Sequence, residues 1–235
     1  MARHVAAVWM AGVVACASST AAAEDLKTVK EKIMAGWDKH RSITAKVKLV
    51  AEATGSRAHK SKGEGTYQVL KQGEKTLFRT DHEIVMVVKA GGREMKMVQK
   101  ATKIMDGQYT YSLVEAMRGT AATKAKATPR DRTDPNSMFK QLDKAYTLKL
   151  LPEERVDGQQ VYVIEATAKK KRKGSFTKGI YYFRKDGILV KQTAQMDESK
   201  MTTTFTDIKL NGKIDPGRFV FKPPPGVEVR DMTGQ

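Results

Sequence analysis

Apolar residues recur at three- and four-residue spacing through residues 26–40, at Leu26, Val29, Ile33 and Trp37, with Lys27, Lys30, Glu31 and Lys32 between them. That spacing predicts one helix with an apolar stripe on a core. The period then drops to two. Over 42–52, Ile43, Ala45, Val47 and Leu49 point one way, and Thr44, Lys46 and Lys48 the other, as in a strand. Residues 54–63 are polar and read as a loop. Strands then pair across turns: 65–71 with 75–81, 84–89 with 93–100, and 102–105 with 108–114. Residues 115–133 are rich in Ala, Thr, Lys and Arg and have no clear period, so they read as a long loop. Asp134-Pro135 opens a second helix over 134–144, with Asp134 as N-cap, Pro135 at its first position and Met138, Phe139 and Leu142 as its apolar side. Strands are expected at 145–151 and 160–168. A ribbon at 179–183 returns through Asp186-Gly187 into 188–196, and 201–210 ends at Asn211-Gly212. Pro223-Pro224-Pro225 cannot donate to a ladder and should end the sheet.

Residues 84–88 and 180–183 are apolar at successive positions. A sheet with one wet face should alternate, so these strands must be covered on both sides. Helices packed into a curved sheet satisfy this, and so does a curved sheet around an apolar cavity. Met86, Met95, Met97, Met105, Met196 and Met201 fall on predicted strands. Methionine suits both ordinary gap-filling and an adaptable binding surface. The expected fold is α+β and mainly antiparallel. It is an unclosed, curved β-barrel of about ten strands, with the two helices covering its concave mouth.

Composition adds a compartment. Residues 5–15 form an apolar run too short to span a bilayer, and Ala21-Ala22-Ala23 precedes Glu24-Asp25. This predicts a signal peptide at 1–23 and a single exported domain at 24–235. Val13-Val14-Ala15-Cys16 is a loose lipobox lacking the usual Leu, and offers the alternative of a lipid anchor on Cys16. Cys16 is the one cysteine, so no disulfide framework is expected. The net charge is +17, and removing Arg3 with the leader leaves +16. For an exported chain this favours an anionic membrane or acidic partner over nucleic acid. Lys169, Lys170, Lys171, Arg172 and Lys173 are the densest basic group. They are the candidate contact with such a surface, unless they are only a solvated hairpin tip.

Candidate chemistry is sparse. Beyond the leader the histidines are His40, His59 and His82, none at metal-ligand spacing with another. No His-Glu-x-x-His, Gly-x-Ser-x-Gly elbow or P-loop occurs. The expectation is a monomeric protein that is not an enzyme, with no metal and no cofactor.

The C-terminal stretch is the most specific. Lys185-Asp186-Gly187, the strand pair after it, Asn211-Gly212, and then Phe219-x-Phe221-x-Pro223-Pro224-x-Gly226-Val227 resemble the close of the LolA/LolB-type lipoprotein carriers of the bacterial envelope. Asp106-Gly107-Gln108-Tyr109-Thr110-Tyr111 is similar to an Asp-Gly strand of the same family. The resemblance implies a hollow that holds acyl chains of lipoproteins or lipids and carries them towards the outer membrane, between a donor and an acceptor protein. Within the same fold, a sensor of mislocalised lipoproteins is the alternative; from another class, it is a structural β-domain with a filled core. Strand parity puts Val47, Leu49, Met97, Tyr109 and Tyr111 on the concave side, as the expected lipid-binding lining. The family's Arg-Pro pair after the second strand is missing from Leu70-Lys71-Gln72-Gly73. Arg79 is the candidate to replace it as a lid contact.

Overall fold

The computed structural model describes residues 24–234, apart from 55–57, 91–92, 129–130, 132 and 171–175. The leader, the Cys16 alternative and Lys171 to Lys173 therefore lie outside the described residues. Helix α1 spans Leu26–Asp38, and the Asp25 carboxylate caps it by accepting from Thr28 N at 2.7 Å. Helix α2 spans Pro135–Ala145 and is capped by Asp134, which accepts from Ser137 N at 2.7 Å. Twelve strands follow the chain: β1 (Ser42–Ala53), β2 (His59–Gln72), β3 (Lys75–Ala90), β4 (Arg93–Met105), β5 (Tyr109–Ala116), β6 (Gly119–Lys126), β7 (Tyr146–Val156), β8 (Gln159–Ala168), β9 (Lys178–Arg184), β10 (Leu189–Met196), β11 (Ser199–Leu210) and β12 (Val229–Asp231).

They form one unclosed, curved sheet in the order β12-β6-β5-β4-β3-β2-β1-β11-β10-β9-β8-β7. All ladders are antiparallel except β12 on β6. Three expectations need correction. Residues 119–126 are a strand and not part of a long loop, because β5 offers them a full ladder from Tyr109↔Lys126 to Ala116↔Gly119. The reversals after Gln72 and Ala90 fall where expected, but the breaks expected at 59–63, 82–83 and 101 are absent. β2 and β3 pair without interruption from His59↔Val88 to Gln72↔Lys75, and cross-strand bonds override the polar stretch Asp81-His82-Glu83. The triple proline does not end the sheet either. The chain rejoins it at β12, where Val229 pairs with Ala122.

Both faces are covered at 180–183, as that apolar run requires, but residues 84–88 are only half-buried, and Met95 and Val98, paired with Val88 and Val85, are 50% and 40% exposed, which corrects the expectation there. On the concave face, Val29 and Ile33 of α1 and Phe139 and Leu142 of α2 pack on Tyr162, Ile164, Ala166 and Phe183. Trp37 packs with Ile43, Val69, Phe78 and Met105. On the opposite face, a short 3₁₀ helix (Pro216–Phe219) drives Phe219 against Leu77 and Ile104, with Tyr111 and Phe221 at its margin. The Phe219-x-Phe221 pair is thus a cover for the convex face.

Candidate functional site

The concave face and the two helices enclose a cavity of about 290 Å³, at the low end of the ~300–1,000 Å³ typical of small-molecule sites. Trp37, Ile43, Tyr67, Met138, Phe205 and Ile208 supply much of its wall. Register explains the grouping. Ile43 and Ala45 share a face of β1, Ala45 pairs with Tyr67, and Phe205 pairs with Val47. The Tyr67 ring meets Phe78 and Phe205 edge-on, at 5.5 and 5.2 Å between centroids. Burial pushes the Tyr67 hydroxyl up to about 12, so it stays a neutral donor.

The two helices are held differently. α1 is seated by backbone contact: Gly36 lies directly against Asp186-Gly187 at the β9–β10 turn. Beside it, His40 Nε2 lies 3.1 Å from Asp186 O, and Lys71 Nζ donates to Trp37 O at 2.8 Å. The positively charged Lys71 also sits 5.2 Å from the centroid of the Trp37 ring. α2 is tied by side chains. Lys30 Nζ bonds Asp143 at 2.6 Å and lies 5.3 Å from the centre of the Phe139 ring. The strap leading into α2 is pinned to the sheet by Lys103 Nζ to Asp131 at 2.7 Å. Asp131 also accepts from Thr128 N at 2.8 Å and Thr128 Oγ1 at 2.7 Å. α1 is thus a fixed wall, seated by backbone contact, while α2, the candidate lid, is held by side chains alone, its buried Phe139 and Leu142 and these polar ties.

Burial alone would raise the Asp131 carboxyl, but the bonds from Lys103 and Thr128 outweigh it and hold the group below its ordinary 3.8. A depressed carboxyl contributes stability above its unfolded value and loses it as pH falls through the folded one. The tie is therefore complete above pH 3.8 and lost only below it. Asp131→Asn is expected to remove the ion pair at neutral pH and to raise hydrogen exchange of α2 amides about fivefold, roughly 1 kcal/mol for a half-exposed pair. Unchanged exchange in α2 would show that the strap does not hold the lid.

The residues anticipated from parity separate into two groups. Val47, Leu49 and Met97 lie on the concave face; Val47 is buried, and Leu49 and Met97 are half-buried further along the strands. None of the three borders the 290 Å³ cavity. Tyr109 and Tyr111 are on the convex face, which corrects the expectation. Phe78 pairs with Met105 and Met105 with Thr110, so Thr110, Ser112 and Val114 take the concave positions of β5. Tyr111 stacks on Phe221 at 5.1 Å, and Lys124 lies 4.2 Å from the centre of the Tyr109 ring. Arg79 is not a lid contact either. It is convex, binds Asp81 through two bonds of 2.7 and 2.8 Å, and donates to Arg218 O at 2.9 Å. It anchors the C-terminal segment. In the basic cluster, Lys169 Nζ donates to Asp143 O at 2.7 Å, so it caps the C-terminal end of α2 and is not a free surface charge. Trp37, Tyr67 and Phe205 were the missed cavity residues. Trp37 was visible in the helical stripe, but Tyr67 and Phe205 required the register of β1 with both neighbours.

Among the described residues, no three His, Cys, Asp or Glu side chains converge as a metal site. No helix among them is long and apolar enough to cross a membrane.

No family model matches the chain, and no curated protein sequence matches it. Similar folds occur among solved structures. A LolA superfamily protein from Nitrosomonas europaea aligns at 14% identity over 85% of this chain and 99% of that one, with a TM-score of 0.32. The Mycobacterium tuberculosis lipoprotein LppX aligns at 10% identity over 81% of this chain and 99% of that one, TM-score 0.43. The MucA/MucB complex structure of Pseudomonas aeruginosa aligns at 16% identity over 83% of this chain and 61% of that one, TM-score 0.46. The fold of this chain is an unclosed, curved, mainly antiparallel sheet with helices across its concave side.

Proposed function

We propose that this chain is an exported, non-enzymatic carrier of acyl chains, taking them from lipoproteins or lipids and handing them towards the outer membrane. The cavity between the concave face and α2 carries this reading, because its wall is largely apolar and one side of it is a short helix held by two buried side chains, Phe139 and Leu142, and a few polar bonds. Each methylene moved from water into such a wall gains about 0.8 kcal/mol, so a chain is held without covalent chemistry. A cavity of about 290 Å³ is small for a long chain. Swinging α2 outward enlarges it, and Met138 and Phe139 give up their contacts as the cargo takes their place. Release then needs an acceptor that competes for the same chain.

Native mass spectrometry tests the reading on protein purified from an envelope fraction, before and after incubation with a diacylglycerol. The expected spectrum shows adducts with the mass of one acylated lipid per chain. A spectrum free of adducts in both samples would favour the filled-core β-domain and overturn the carrier.

A further inference from the structure

This chain has 43 lysines and arginines, yet among the described residues no charged side chain lines the cavity. Three lysines of the surrounding elements are already engaged. Lys71 donates to Trp37 O and lies 3.6 Å from Asp38, Lys30 is held by Asp143, and Lys103 is held by Asp131. The polar groups in the wall are neutral: the Tyr67 and Thr133 hydroxyls and the Gln192 amide. Tyr67 and Thr133 face one another, and Thr133 Oγ1 is buried without a well-aligned hydrogen-bond partner. A buried hydroxyl with spare capacity is suited to one more acceptor.

These groups treat the head of an acyl chain according to its charge. An ester or amide carbonyl needs a single donor to be satisfied. A carboxylate brought to the same place leaves water with no cation to meet it, which is far more costly. It must stay at the mouth and withdraw part of its chain.

We propose that the cavity selects acyl chains joined through an uncharged carbonyl, an ester or an amide, and excludes the carboxylate of a free fatty acid, with the Thr133 and Tyr67 hydroxyls meeting the carbonyl oxygen. This rests on the acyl-binding reading above and narrows it to conjugated chains.

The chain has two tryptophans, Trp9 and Trp37, and Trp37 lies in the cavity wall. In the full chain carrying Trp9→Phe, a mid-chain brominated stearoyl group should quench Trp37 when it enters. Three probes separate the heads: the brominated acid, its methyl ester and its primary amide, at a pH several units above the ~4.3 of a carboxyl. The ester and amide are expected to half-saturate quenching at about one-tenth the concentration needed for the acid, equivalent to about two methylenes withdrawn. The double variant Tyr67→Phe with Thr133→Val should narrow that ratio about threefold or more. Equal quenching by acid and ester, stronger quenching by the acid, or an unchanged ratio in a folded double variant would each overturn the selection and leave the carrier standing. If no probe quenches Trp37, the acyl-binding reading itself fails. If the double variant does not fold, the comparison of the three probes in the Trp9→Phe chain decides alone.

Discussion

Valine in place of Gly187 is expected to unseat α1 and to cost about 3–5 kcal/mol of stability. Gly187 has φ +84°, and a Cβ there would lie 2.2 Å from Ile33 O and 2.4 Å from Trp37 N. Both are backbone atoms of a packed helix and cannot turn aside. The contact is reciprocal, since a Cβ on Gly36 would lie 2.5 Å from the Asp186 carbonyl carbon. Gly158 supplies the control. Its φ of +77° is similar, but nothing lies within 4 Å of its added Cβ. Gly158→Val should therefore show the cost of the dihedral alone, about 1–2 kcal/mol. Urea denaturation measures both. Equal losses at the two positions would mean that the turn and α1 do not depend on close contact, and α1 would lose its standing as the fixed wall.

Phe139→Ala is the second large effect, with an expected loss of about 3–5 kcal/mol. Phe139 is 2% exposed and is the largest side chain that α2 buries. Its ring lies 5.7 Å from that of Phe183, and the Lys30 ammonium sits 5.3 Å from its centre. Without the ring, the buried residues of α2 reduce to Leu142 and the N-terminal Pro135. Binding of an apolar dye should rise as the lid loosens, and the urea midpoint should fall. A midpoint shifted by less than the equivalent of about 1 kcal/mol would show that α2 is held by its ion pairs and not by its core contact.

Much of the frame was legible because local signals agreed with the fold. Leu26, Val29, Ile33 and Trp37 marked α1, Asp134-Pro135 marked the start of α2, and Asp186-Gly187 marked the turn that seats α1. Strand β6 was not legible. Gly119 to Lys126 is Gly-Thr-Ala-Ala-Thr-Lys-Ala-Lys, weak in β-formers, and becomes a strand through its ladder to β5. The three residues of β12 were hidden for a related reason, because their partner is distant in sequence. Site residues failed where a face had to be carried from strand to strand. Parity along β5 is plain, but which parity is concave depends on the pairing of Met105 with Thr110. Tyr109 and Tyr111 were placed on the lining by parity with the wrong face taken as concave. The C-terminal segment had already given the convex face an apolar cover of its own, with Phe221 on Tyr111. Arg79 was misplaced for another reason: it was chosen to replace the family's missing arginine, and its convex position on β3 holds the C-terminal segment instead.

The seam between β1 and β11 imposes an order on folding. β1 pairs with β2 at once, but its other edge waits for residues 199–210, from Ala53↔Ser199 to Ile43↔Leu210. During synthesis, that edge is open until nearly the whole chain has emerged. An open strand edge is a template for pairing with another molecule. Lys46 and Lys48 sit along this edge and are exposed in the finished sheet, where Lys46 bonds Asp207 at 2.7 Å. Before β11 arrives, the same two charges discourage a second copy from docking there. The chain thus guards its slowest joint with residues that later become part of the join.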